Sequence, residues 1–265
     1  MIRHLITTTM LAAVCAQSLA ASDRAHAPGA AIITSAKGKT WLSDSNTKRA
    51  QLNLHEIVDL TEQTIQTEKS SHSFLACSNG LGIGLDAATH VTFELYTQEP
   101  FTAERAELKF EPSTSQLMAT LHSGAISLAS TGLSPRSQAR VKTVNGMARI
   151  HSANCRIEQS ETGTVIITYG GNATFYYPDG KTREFISRHS AIRISPQSAA
   201  IGKIAEHLDF NTLEISKKHF AQAAQNAASR VYFNAPLAGN AATPVLIAPI
   251  IYFEQETSRP YEYVD

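Results

Sequence analysis

Long apolar runs, excess charge of either sign and paired metal-ligand motifs are all scarce in this sequence of 265 residues. Past residue 20 the most apolar stretch, Val245 to Phe253, falls well short of the roughly 20 residues a spanning helix needs, and it contains Pro249. Lys plus Arg and Asp plus Glu both number 23, with no basic run, so the electrostatic footprint of a nucleic-acid binder is missing. No Cys-x-x-Cys pair occurs, and no two histidines stand four apart around an acid as in zinc hydrolases. There is no Gly-x-Ser-x-Gly nucleophile elbow. These absences leave no catalytic, metal or cofactor residue to nominate, and a non-enzymatic protein is expected.

The N-terminus has a pattern of its own. Arg3 precedes a mostly apolar run from Leu5 to Ala20, and no acid appears before Asp23. A basic start, a short apolar core and the small-x-small exit Ser18-Leu19-Ala20 describe a secretory signal peptide over residues 1–20, cut between Ala20 and Ala21. The alternative is a retained anchor, but three threonines interrupt the run. A periplasmic, secreted or cell-surface location follows, with no spanning segment once the leader is removed. Export leaves Cys77 and Cys155. An oxidising compartment permits a disulfide between them, closing a loop of about 80 residues and adding roughly 4 kcal/mol through chain entropy. Two separate buried thiols are the other reading, and geometry decides.

Residues 21–29 read as a flexible lead-in. From 30 to 195 short β runs alternate with turn residues. Lys37-Gly38-Lys39 turns into Thr40-Trp41-Leu42, and Ser78-Asn79-Gly80 marks a hairpin into Leu81, Ile83 and Leu85, which share one face. Leu117 to Leu121 is expected to turn at His122-Ser123-Gly124, and Val165 to Thr168 at Gly170-Gly171. Pro178-Asp179-Gly180 reverses the chain into Thr182 to Ile186, and Ala191 to Ile194 closes the series. Such punctuation predicts an all-β domain: a short-stranded roll, sandwich or solenoid-like body. The spaced glycines of Gly80-Leu81-Gly82-Ile83-Gly84 lie in alternating aliphatics, so they read as room for close backbone approach rather than as a nucleotide loop.

Residues 196–265 differ. Asn211 with Glu214 reads as a helix cap, and Leu213, Phe220, Ala224, Ala227 and Val231 share a face, predicting one thin amphipathic helix over 212–229. An extended tail follows, broken by Pro244, Pro249 and Pro260. Tyr261 and Tyr263 would share one side of it. With Tyr176, which must point opposite Phe175 and Tyr177 on a strand, they are the candidate interaction surface. The histidines are dispersed and expected on the surface or in turns.

The order of these motifs resembles FecR domains. Ser78-Asn79-Gly80 leading into Gly84-Leu85-Asp86-Ala87-Ala88-Thr89-His90-Val91 is similar to that family's first signature, and His122-Ser123-Gly124-Ala125-Ile126 to its next element. Arg140-Val141-Lys142-Thr143-Val144-Asn145-Gly146 resembles its "V-x-T-P-x-G" segment, with Val144 for the usual proline. The Val165–Phe175 and Phe185–Ile194 stretches resemble its later hairpin and closing strand pair. His189-Ser190 replace the Gly-Gln turn usual there. The resemblance covers residues 30–195 and implies the extracytoplasmic domain of regulators that relay a signal to a sigma factor. The helical sigma-binding domain and spanning helix of those regulators have no counterpart in this sequence. The expectation is a free-standing binding or scaffold protein whose partner is an envelope protein or polysaccharide. A carbohydrate-active enzyme, or a signalling component working with a separate membrane protein, are the alternatives.

Overall fold

The computed structural model describes residues 27–44, 49–99, 111, 113–130, 132–195, 199–203, 210–228, 230–233 and 244–247. The leader, its Ala20–Ala21 cut, and Tyr261 and Tyr263 lie outside the described residues.

Alternating apolar side chains produce strands almost throughout. The first nine are β1 (Ala27–Pro28), β2 (Ala30–Lys37), β3 (Thr40–Ser43), β4 (Arg49–Gln51), β5 (Ile57–Asp59), β6 (Gln63–Thr67), β7 (His72–Cys77), β8 (Leu81–Leu85) and β9 (His90–Gln98). Three long strands follow, β10 (Ser115–Ser130), β12 (Gly146–Ser160) and β13 (Gly163–Tyr176), with β11 (Gln138–Thr143) between the first two. Then come β14 (Arg183–Ile186), β15 (Ser190–Ile194) and β16 (Ala199–Lys203). One helix, α1 (Phe210–Ala228), and a small hairpin of β17 (Arg230–Phe233) and β18 (Pro244–Ile247) complete the described chain.

Strands β1–β16 form a single hydrogen-bonded sheet folded over on itself. One layer runs β5-β2-β7-β8, then through the C-terminal halves of β10 and β12 and the N-terminal half of β13, to β15 and β16. The other runs β4-β3-β6-β9, through the opposite halves of the same three long strands, with β11 inserted parallel to β10 and β14 at the edge. The long strands cross between layers where their ladders are irregular, at Leu121–Ser123 in β10 and at His151–Cys155 in β12. Gly124 (φ 83°) and Gly171 (φ 67°) supply the left-handed backbone at these bends. His122-Ser123-Gly124 and Gly170-Gly171 are therefore bulged corners within continuous strands and not the hairpin turns expected from sequence. Both geometries demand a left-handed glycine, so composition alone does not separate a bend from a reversal.

The other punctuation holds. Gly80 (φ 80°) donates its N–H to Cys77 O at 2.9 Å, a tight turn with the left-handed residue at its end, and β7 pairs with β8. Asp179 accepts from the N–H of Lys181 and Thr182, both at 2.9 Å, and reverses the chain from β13 into β14. Lys37-Gly38-Lys39 carries the chain from one layer to the other. The sheet also continues one strand beyond residue 195, because β16 pairs along β15.

Between the layers lies one core. Ile33, Leu75, Ile83, Leu128 and Ile166 project into it from the first layer, and Phe93, Leu117, Val141, Ile150 and Phe175 from the second. Cys77 and Cys155 belong to this core as separate, fully buried thiols. Cys155 pairs in register with Leu128, Leu128 with Ile83 and Ile83 with Leu75. Three strand spacings thus separate the strands that carry the cysteines, beyond the reach of a disulfide.

Helix α1 covers the outer face of the first layer, over β7, β8 and β10. Gly82 and Gly84 sit on that face, alternating with the inward aliphatics. A Cβ on Gly84 would come within 2.9 Å of the Phe74 ring. Phe220 stacks on Tyr169 with ring centroids 4.7 Å apart, and Ala223 packs against Ala129. The helix starts at Phe210, so Asn211 lies inside its first turn and not at the capping position expected; Glu214 instead pairs with Lys217 at 3.0 Å. The side chains of Leu213, Ala227 and Val231 lie outside the described residues.

Candidate functional site

Where the three long strands bend, the folded sheet leaves an open cleft of about 850 Å³. Its walls come from the β8–β9 loop at Asp86-Ala87-Ala88, the β10 corner, the β11–β12 turn at Val144-Asn145, the β12–β13 hairpin and one residue of α1, His219.

The β8–β9 wall is held from several directions. Ala125 N–H donates to Thr89 Oγ1 at 3.0 Å, and Thr89 Oγ1 donates to Ala125 O at 3.1 Å. Thr89 N–H donates to Thr67 Oγ1 at 2.9 Å, and the Thr67 hydroxyl donates to Asp86 O. Ala88 has φ 54°, a left-handed conformation uncommon for a residue with a Cβ. Gly124 faces this loop so closely that a Cβ there would sit 2.5 Å from Thr89 Cα. The wall is thus pre-formed, and its strain is retained by an over-determined hydrogen-bond network.

At the cleft floor lies a charged cluster. Asp86 is 7% and Arg156 5% exposed. Arg156 Nη1 donates to Asp86 Oδ2, and its Nη2 donates to Glu158 Oε2 at 3.3 Å. His219 Nδ1 approaches Asp86 Oδ1 to 2.5 Å, though out of line for a straight hydrogen bond. Burial pushes the Asp86 carboxyl up, but the His219 contact and the Arg156 charge together outweigh it and hold it below the usual aspartate range. His72 stands 5.8 Å from His219, ring to ring, and its own pKa is lowered by burial and by that neighbour. At the rim, His122 shares a hydrogen bond with Thr92 at 2.9 Å and lies tilted against His90 with ring centroids 4.5 Å apart; burial and the His122 neighbour lower the His90 pKa.

The one described carboxylate that burial pushes above its usual range lies elsewhere. Glu111 accepts from the Ser134 N–H and the Ser137 hydroxyl, each at 2.6 Å, and from the Ser115 hydroxyl. Ser115 opens β10, at the end away from the bend, and accepts from Asn79 Nδ2 at 3.0 Å. This network ties the β7–β8 turn to the second layer.

Of the candidate residues that are described, Cys77, Cys155 and Tyr176, none lines the cleft. Cys77 and Cys155 are core. Phe175 is buried and meets Tyr177 edge to face at 5.3 Å, while half-buried Tyr176 points outward from the second layer beside Arg183. The sequence did signal the wall, because Asp86-Ala87-Ala88-Thr89 and Ser123-Gly124 were among the motif positions. Beyond Asp86 it did not signal the floor. Arg156 sits between Cys155 and Ile157 in an alternation that reads as a polar outward position, and only the helix 63 residues on turns that face into an interior. His219, expected at the surface, is drawn in with it; its side chain is 17% exposed.

No protein-family model and no curated protein matches the chain. Two crystal structures of a "putative anti-sigma factor" from Parabacteroides distasonis are similar in the course of the backbone. One has 12% identity and a TM-score of 0.39, with 53% of this chain and 58% of that one covered; the chain therefore spans little more than half its length. The other has 13% identity and a TM-score of 0.41, covering 62% and 74%.

Proposed function

We propose that this protein is an exported, non-catalytic recognition protein of the cell envelope: a free-standing domain of the FecR type that takes a ligand into the cleft at the bend of its folded sheet. One observation carries the reading. The acid at the cleft floor, Asp86, is already neutralised by Arg156 and faced by His219, and its pKa is lowered. A general acid at neutral pH needs the opposite shift. Asp86, Arg156 and His219 are thus committed to holding helix and sheet together, while Glu158 and Glu161 line the strand wall beside them. Its rim offers small side chains, exposed backbone and the 76% exposed Val144 to a ligand. Such a surface favours gripping an extended polar chain, with a rigid wall that loses little entropy on binding.

The test is fractionation of the tagged protein in its host, joined to photo-cross-linking from Val144. The expected result is a mature protein starting at Ala21 in the envelope fraction, with an adduct that Ser123→Arg abolishes without lowering the melting temperature. Recovery in the cytoplasm with the leader intact defeats the export reading. An adduct indifferent to Ser123→Arg defeats the cleft reading.

A further inference from the structure

The outer face of the second layer carries a cationic patch that the cleft does not use. Ala139 and Val141 point into the core from β11, as do Ala148 and Ile150 from β12. Arg140 and Arg149 therefore point outward, and they are direct cross-strand partners. Like charges opposite one another on adjacent strands destabilise a sheet. Among the described residues neither guanidinium has a carboxylate within ion-pairing distance, and Arg140 Nε is enclosed without an acceptor. Across the same row, Arg149 is in register with Thr174, and Thr174 with Phe185, which is 60% exposed. One row along, Tyr176 pairs with exposed Arg183. His151, hydrogen-bonded to Thr174 at 3.1 Å, has its pKa lowered by burial and by the Arg149 charge. Glu94 on this face is neutralised by Lys142 at 2.6 Å.

We propose that this face docks an acidic segment of a partner protein, with side-by-side Arg140 and Arg149 forking onto its carboxylates and Phe185 and Tyr176 packing its apolar side chains. Charge complementarity favours an anionic occupant, since Arg140, Arg149 and Arg183 have no carboxylate partner among the described residues while the whole chain is neutral. Planar guanidinium forks match carboxylates two bonds at a time. Composition separates a protein from a polysaccharide. Arginine, methionine and aromatic residues, with lysine scarce, are what protein interfaces concentrate. Met118 in register with Arg140, and Met147 in register with Tyr176, complete that set. A carboxylate seated between Arg140 and Arg149 would relieve the repulsion that the free face bears.

The test is fluorescence anisotropy with a labelled peptide of alternating Glu and Leu, against its Gln-for-Glu counterpart, with polygalacturonate and anionic phosphatidylglycerol vesicles as competitors. The expected result is binding of the acidic peptide alone, weakened at least tenfold by Arg140→Gln with Arg149→Gln. The double variant should melt at the same or a higher temperature, because the like-charge pair is gone. Phe185→Ala should weaken binding at unchanged stability, which keeps the test independent of the arginine variant. Absence of peptide binding, equal binding by the double variant, or equally effective competition by polysaccharide or vesicles would each overturn the proposal. Because Ser123→Arg leaves this face untouched, it should bind the peptide like the native protein; loss there would also overturn it.

Discussion

His219 Nδ1 stands 2.5 Å from Asp86 Oδ1, so the one helix of the described chain is fastened to the sheet by a side chain reaching the buried Asp86–Arg156 pair. Removing one partner of a buried pair leaves an uncompensated charge, which costs more than the pair itself contributes. Asp86→Asn is expected to destabilise the protein by about 3 kcal/mol in urea unfolding, because Arg156 then keeps only Glu158, a half-exposed acid at 3.3 Å.

Acid should find the same joint. The Asp86 carboxyl lies below the usual aspartate value of 3.8 in the folded chain, so its contribution is complete above that pH and disappears as pH falls through the lower folded value. Stability of the native protein is expected to fall more steeply below pH 4 than that of Asp86→Asn. Identical slopes in urea titrations from pH 5 to 2 would mean that Asp86 is not the group responsible.

Gly124 is the residue on which the cleft corner turns. Its φ of 83° disfavours any side chain, and an added Cβ would lie 2.9 Å from Ala88 O as well as against Thr89. Gly124→Ala should cost about 2 kcal/mol or more through strain and displaced backbone. Proton exchange at the Ala125 amide, which donates to Thr89, should rise by a larger factor than in the β12–β13 ladder.

The two thiols give a chemical readout of the core. Burial raises the Cys77 pKa far above ordinary thiols and that of Cys155 to about 12, and only a thiolate attacks a disulfide reagent. The folded chain expressed without residues 1–20, and so without Cys15, should leave Ellman's reagent unreacted and release two equivalents once unfolded. Its melting temperature should not depend on reductant. A reductant-sensitive melt would show that the pair bonds after all.

The strands were legible because burial on one face writes itself as alternation. Leu81, Ile83 and Leu85 point into the core as their spacing requires, and Gly82 and Gly84 mark where another element comes close. Legibility ended where meaning depends on a residue far along the chain. Arg156 reads as a solvated position until α1 arrives, and Ser123-Gly124 reads as a reversal until the ladder shows β10 running on through it. Short strands such as β4 and β5, with three residues each, carry too little alternation to announce themselves. Parity with Phe175 turns Tyr176 outward, but the arginines around it come from other strands, and only the register brings them together.

His189 makes the closing turn testable in the direction of gain. Its φ of 59° is the left-handed conformation glycine would adopt freely. Its side chain is exposed, while its N–H donates to Thr168 O at 2.7 Å, a bond any residue can make. Replacement by glycine removes the Cβ clash, which is worth roughly 1 kcal/mol per left-handed residue, and gives part of that back through a more flexible unfolded chain. His189→Gly is therefore expected to raise the melting temperature slightly, or at least not to lower it, whereas His189→Val should lower it, because branching at Cβ makes the same conformation harder still. Differential scanning calorimetry on the two variants decides it. A glycine variant that melts well below the native protein would mean that the imidazole, and not the backbone, holds this turn.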